Sequence, residues 1–134
     1  MQLSLLKALY TDKLTKLYRL SEAENIFYIV LYYLERKSKT AVLLGQETMI
    51  GDTYVELLSN LIEGKPVQYV LGDAPFYGLD LYVDENVLIP RPETEELVHW
   101  ILEDNPAFSG SVLDIGTGSG CIPLALKKHW PQAR

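Results

Sequence analysis

The run Val112-Leu113-Asp114-Ile115-Gly116-Thr117-Gly118-Ser119-Gly120 has the residue types and the spacing to hold a ligand. The apolar residues before the first glycine predict a buried parallel strand, and those after the last predict a helix beginning near Cys121. A sharp strand-to-helix turn brings backbone N–H groups and the positive end of a helix dipole against whatever occupies it. Glycines serve there because side chains block close approach and because some torsions are left-handed. A dinucleotide-binding turn spaces its glycines as G-x-G-x-x-G. Here the spacing is G-x-G-x-G, with Asp114 two residues ahead of Gly116. A nicotinamide oxidoreductase is therefore the weakest candidate. An ordinary tight turn does not need three alternating glycines, each of which loses backbone entropy on folding.

A second stretch carries chemistry: Ile89-Pro90-Arg91-Pro92-Glu93-Thr94-Glu95. Two prolines stiffen the backbone while an arginine and two carboxylates gather at a predicted helix start. Read alone, it is a rigid linker whose glutamates complement a helix dipole. Cys121 follows the glycine loop directly, and with no base evident nearby it reads as a small packing residue rather than a nucleophile.

The elements that must position these residues fall into two styles. The first sixty or so residues read as helices. Ser21 and Glu24 form a capping-box pattern, followed by Ile26, Phe27, Ile29, Val30, Tyr33 and Leu34 at helical spacing, with Arg36 and Lys37 at the far end. Asp52 is expected to cap a helix carrying Val55, Leu57, Leu58, Leu61 and Ile62, stopped by Gly64. Residues 3–17 supply a third amphipathic stretch. From Pro66 the pattern changes. Residues 76–83 and 87–89 predict a hairpin turning at Asp84-Glu85-Asn86, with a bulge at Gly78. A helix over residues 93–103, a loop over 106–110, the glycine-loop strand and a final helix to about His129 complete the chain.

Composition bounds the class. At 134 residues, 48% hydrophobic and 22% charged, the sequence is globular rather than disordered. No apolar run is long enough to span a bilayer, and residues 1–7 carry no pattern of a secretion signal. A single cysteine excludes an internal disulfide and fits a reducing cytoplasm. The net charge of −6 opposes broad binding to a phosphate backbone, so no direct nucleic-acid partner is expected. No metal-ligand spacing stands out.

Four segments in order give the sequence a family likeness: Gln68-Tyr69-Val70-Leu71-Gly72, Phe76-Tyr77-Gly78, residues 89–95, and Asp114 through Ile122. The glycine loop by itself resembles the S-adenosylmethionine (AdoMet) loop of Rossmann-like methyltransferases. Together the four resemble the peptide-chain release factor glutamine methyltransferases (the HemK/PrmC type) over roughly residues 60–130.

That resemblance implies a fold of mixed α+β and α/β character. Residues 1–73 would be a helical bundle that docks the substrate, 74–91 a β-hairpin linker, and 92–134 the first strand, loop and helix of a Rossmann-like catalytic domain. It also implies transfer of a methyl group from AdoMet to the side-chain amide nitrogen of the glutamine in the Gly-Gly-Gln motif of class I release factors, in the cytoplasm, during translation termination. Gly116, Thr117, Gly118, Ser119 and Gly120 match the AdoMet loop, and Asp114 the acidic residue expected to order it and to meet the methionine amino group. Arg91, Pro92, Glu93 and Thr94 match a motif near the active site.

The family's Asn-Pro-Pro-Tyr motif, which holds the substrate amide, is not in these residues, so no catalytic residue is named. One parallel strand cannot make a sheet. The sequence is therefore expected to be the N-terminal part of a longer protein, and residues 1–134 by themselves to show no turnover. Two alternatives stand beside this reading: an adenine-N6 or other amino methyltransferase acting on nucleic acid, and, for the chain in isolation, a protein-docking module without catalysis.

Overall fold

Leu3, Leu6, Tyr10 and Leu14 recur every three or four residues, so one face of helix α1 (Leu3–Leu14) is apolar throughout, and all four are buried. The structure is a computed structural model and describes residues 1–49 and 51–134. It divides into two compact units, Met1–Leu71 and Gly72–Arg134.

The first unit is helical: α1, α2 (Leu20–Glu35), α3 (Lys39–Leu43), α4 (Asp52–Ile62) and α5 (Val67–Leu71). Ala23, Ile26, Phe27, Val30 and Leu31 of α2 pack against the buried face of α1, joined by Tyr54, Leu61, Val67 and Leu71. The expected periodicity of α2 holds at Ile26, Phe27 and Val30, while Tyr33 stays exposed. The short helices α3 and α5 were not foreseen, because five residues are too few to display a helical period.

Two expected caps are corrected. The helix that Ser21 was to cap begins at Leu20, with Arg19 at the N-cap and no side-chain cap bond. Glu24, instead of reaching back, accepts from Lys7 Nζ at 2.6 Å, which ties α2 to α1 and holds the lysine pKa above its ordinary value. Ser21 lies inside the first turn rather than ahead of it. Asp52 likewise stands in the first turn of α4, behind Gly51 at the N-cap, where it still complements the dipole. Gly64 ends that helix as expected, at φ +84° and donating its N–H to the Leu61 carbonyl.

A polar cluster sits at the end of α2. The Glu35 carboxylate accepts from Lys37 Nζ (2.6 Å), from the Thr48 hydroxyl and from the Tyr54 hydroxyl. Burial pulls the Glu35 pKa up, but the three donors together outweigh it and hold the group below its ordinary value. A carboxylate with a depressed folded pKa stabilises the fold above its unfolded pKa, and that contribution is lost as pH falls through the folded value. Stability of the wild-type chain is therefore expected to fall as pH drops below about 4.3 more steeply than that of Glu35→Gln. Thermal melts between neutral and acid pH check this, and parallel slopes for the two proteins would refute it.

The second unit opens with a hairpin, β1 (Ala74–Phe76) and β2 (Leu79–Leu81), paired antiparallel with Ala74 opposite Leu81 and Phe76 opposite Leu79. Its turn is Tyr77-Gly78, both at positive φ (46° and 72°), the backbone signature of a two-residue type I′ connection. This corrects the expectation of one strand over 76–83 with a bulge at Gly78. Asp84 to Asn86 does turn, with the Asp84 carboxylate accepting from the Asn86 N–H at 2.9 Å, but residues 87–89 form no strand after it. The local sequence contained two turn signals, and cross-strand pairing selected the first.

Helix α6 (Pro92–Asp104) starts on a proline whose fixed φ suits the first helical position. Helix α7 (Cys121–His129) begins where the glycine loop ends, as expected. Phe76, Leu81, Val98, Ala125, Leu126, Trp130 and Ala133 form the core of this unit.

Residues 112–115, expected as a buried strand, are not one. Leu113 and Ile115 are 84% and 87% exposed. A parallel strand owes its burial to neighbours on both edges and helices on both faces. Among the described residues the segment has one such neighbour contact: Arg134 N–H donates to Gly110 O (3.0 Å) and Val112 N–H donates to Arg134 O (2.7 Å). That slanted pair has the pattern of a parallel bridge across helix α7.

Candidate functional site

Gly116, Gly118 and Gly120 all adopt positive φ (76°, 56° and 77°). A Cβ built at Gly116 or Gly118 would meet nothing within 4 Å, whereas one at Gly120 would touch Leu124 at 3.4 Å. The first two thus need glycine for backbone conformation and for the open space they border. Gly120 caps α7, its N–H donating to Thr117 O (2.9 Å) and its carbonyl accepting from Leu124 N–H (3.0 Å). The loop is a tight, left-handed entry into a helix, presenting backbone rather than side chains.

A cleft of about 180 Å³ opens beside it. One wall is Asp114, Gly116 to Ser119, Cys121 and Ile122; the other is Leu88 to Arg91 and Thr94. The two sequence motifs therefore meet. Of the second motif, Arg91 and Thr94 line the cleft; Pro92 opens α6, and Glu93 lies exposed in its first turn, so neither lines it. Cys121 is a free, half-buried thiol that packs against the second core and touches the same cleft.

Two atoms stand out. Asp114 Oδ2 and Ser119 Oγ are buried without a hydrogen-bond partner. Native folds satisfy nearly all such atoms, and an unmade bond costs about 1–3 kcal/mol or more. Both belong to residues of the cleft wall. A ligand that offers a cationic donor to the carboxylate and a polar group to the hydroxyl would satisfy them. The amino-acid end of AdoMet, with its ammonium and carboxylate, has that chemistry, so the residues present fit the cofactor. The cleft is smaller than the roughly 300–1,000 Å³ of a typical small-molecule pocket.

One residue of the second motif escaped assignment from sequence. Glu95 Oε1 accepts from the Tyr77 N–H at 2.8 Å, joining α6 to the hairpin turn. Its place two residues after the motif's Glu93 was visible; its partner, eighteen residues earlier, was not. Among the described residues no group of three or more His, Cys, Asp or Glu is arranged to hold a metal, and no helix is long and apolar enough to cross a membrane.

Comparison with known proteins adds what geometry cannot. The sequence is 40% identical over 132 residues to a release factor glutamine methyltransferase of Flavobacterium psychrophilum, covering 92% of this chain and 46% of that protein. It is 55% identical over 86 residues to the enzyme of that name from Streptococcus pneumoniae, covering 64% and 29%. For the Enterococcus faecalis protein of the same name the identity is 46% over 119 residues, covering 84% and 42%.

This chain is a relative of the release factor glutamine methyltransferases.

It spans less than half the length of these curated relatives. No protein-family model matches it. The likeness expected from the glycine loop and from residues 89–95 is thus found along nearly the whole chain in the first of these alignments, including the helical unit, which carried no specific motif of its own.

Proposed function

We propose that the protein carrying these residues transfers a methyl group from AdoMet to the side-chain amide nitrogen of the glutamine in the Gly-Gly-Gln motif of class I release factors. The observation that carries the cofactor half of this reading is the pair of partnerless buried atoms, Asp114 Oδ2 and Ser119 Oγ, belonging to residues that line a cleft beside left-handed glycines. The names of the relatives carry the substrate half.

In this reading Asp114 receives the methionine ammonium. The N–H groups of residues 116–119, with the start of α7, meet its polar end. Arg91 and Thr94 close the opposite wall. AdoMet supplies an electrophilic methyl on a sulfonium. An amide nitrogen is a poor nucleophile because its lone pair is delocalised, so this chain's contribution is to hold the donor in one orientation. The parallel contact of Arg134 with Gly110 and Val112 supports a Rossmann-like βαβ arrangement around α7. Residues 1–73 serve as the substrate-docking unit, 74–91 as the hairpin linker and 92–134 as the first part of the catalytic domain. The setting is the cytoplasm.

The test is incubation of the full-length protein with labelled AdoMet and a class I release factor, wild type and with the Gly-Gly-Gln glutamine replaced. Label on the wild type alone is the expected result. Label on neither, from a folded protein that binds AdoMet, would reject the substrate.

A further inference from the structure

The hairpin turn Tyr77-Gly78 is gripped from two helices at once. From α6, the Glu95 carboxylate takes the Tyr77 N–H (2.8 Å) and His99 Nδ1 lies 3.3 Å from the Tyr77 hydroxyl. From α7, Lys128 Nζ donates to the Gly78 carbonyl (2.7 Å) and the His129 ring stands 5.4 Å from the Tyr77 ring, tilted by 63°. Tyr77 has a side chain and yet sits at φ +46°. Such strain persists only where the surroundings over-determine the conformation.

The same two helices begin at the cleft. Glu95 is the neighbour of Thr94 and lies one helical turn beyond Arg91, both on one wall; Cys121 and Ile122 of α7 are on the other. Apolar packing between α6 and α7, through Val98, Ala125 and Leu126, is non-directional and tolerates sliding. Two charge-assisted hydrogen bonds to one rigid turn do not. We infer that Glu95 and Lys128 are positioning residues: through the Tyr77-Gly78 turn they brace α6 against α7 and so set the width of the candidate cofactor cleft. The inference rests on the reading of that cleft as the AdoMet site.

Amide exchange in the full-length protein tests the brace without any turnover. In Glu95→Ala the Tyr77 amide is expected to exchange about tenfold faster or more. The Leu124 amide of α7, bonded to Gly120 O, should accelerate with it, and AdoMet should bind several-fold more weakly. Lys128→Met should do the converse, loosening the Thr94 amide of α6, which is bonded to Arg91 O. Glu95→Gln keeps an acceptor oxygen and should restore most of the protection, and with Lys128→Met it carries the test if Glu95→Ala does not fold. Acceleration confined to the mutated helix and the turn, with AdoMet affinity unchanged, would overturn the inference. A wild-type protein that binds no AdoMet would remove the cofactor reading, and the cross-helix exchange would still decide the brace.

Discussion

Gly118→Val is expected to weaken AdoMet binding by about 10- to 100-fold while the chain stays folded. The residue sits at φ +56°, where an L-residue costs roughly 1–2 kcal/mol and a β-branched one more. Nothing in the chain lies within 4 Å of the added Cβ, so the damage falls on the cleft rather than on packing. The valine either projects into the space a ligand needs or drives the loop out of the conformation that presents its N–H groups. Gly45 is the control: it has φ +67°, equally open surroundings and no place on the cleft wall. Gly45→Val should lose comparable stability and keep the cofactor affinity, measured for both by isothermal titration. Equal loss of affinity in the two variants would mean that strain alone is being read, and would remove the loop from the binding site.

Phe27→Ala should cost about 3–5 kcal/mol of stability. Phe27 is fully buried, its ring set edge-on to Tyr10 at 5.5 Å and to Tyr28 at 5.6 Å. The ring's removal leaves a cavity whose walls are themselves tied. Tyr10 cannot swing in, because its hydroxyl donates to the Tyr54 carbonyl at 2.7 Å; burial accordingly raises the pKa of that phenol. Urea denaturation followed by the tyrosines of the first unit reads the loss. All of Phe27's ring partners lie within Met1–Leu71, so the loss falls on the core of that unit. A cost below about 1 kcal/mol would show that the first core is loosely packed and collapses around the gap.

Where the sequence misled, the outcome rested on partners at long range, present or missing. Ser21 and Glu24 have the residue types of a capping box, and nothing local forbids one; Lys7, seventeen residues earlier, takes the glutamate. The turn at 84–86 forms, but the hairpin closes at Tyr77-Gly78 because Phe76 and Leu81 of the paired strands enter the core together. Residues 112–115 are apolar enough for a buried strand, but strand formation is a property of neighbours, and one parallel contact does not bury Leu113 or Ile115.

Residue types and spacing by themselves determined the helical character of the first unit, the start of α7 after three glycines, a helix fed by Pro90-Arg91-Pro92 and the kinship with release factor glutamine methyltransferases. These depend on local torsions, on period and on motif, all of which are written along the chain. Only the tertiary structure decided that Arg91 and Thr94 face the glycine loop across a cleft, that Asp114 and Ser119 are left with unmet hydrogen bonds, and that Glu95 reaches back to the hairpin. Each of those is a relation between residues eighteen or more positions apart, or the absence of one, and folding alone brings such residues together.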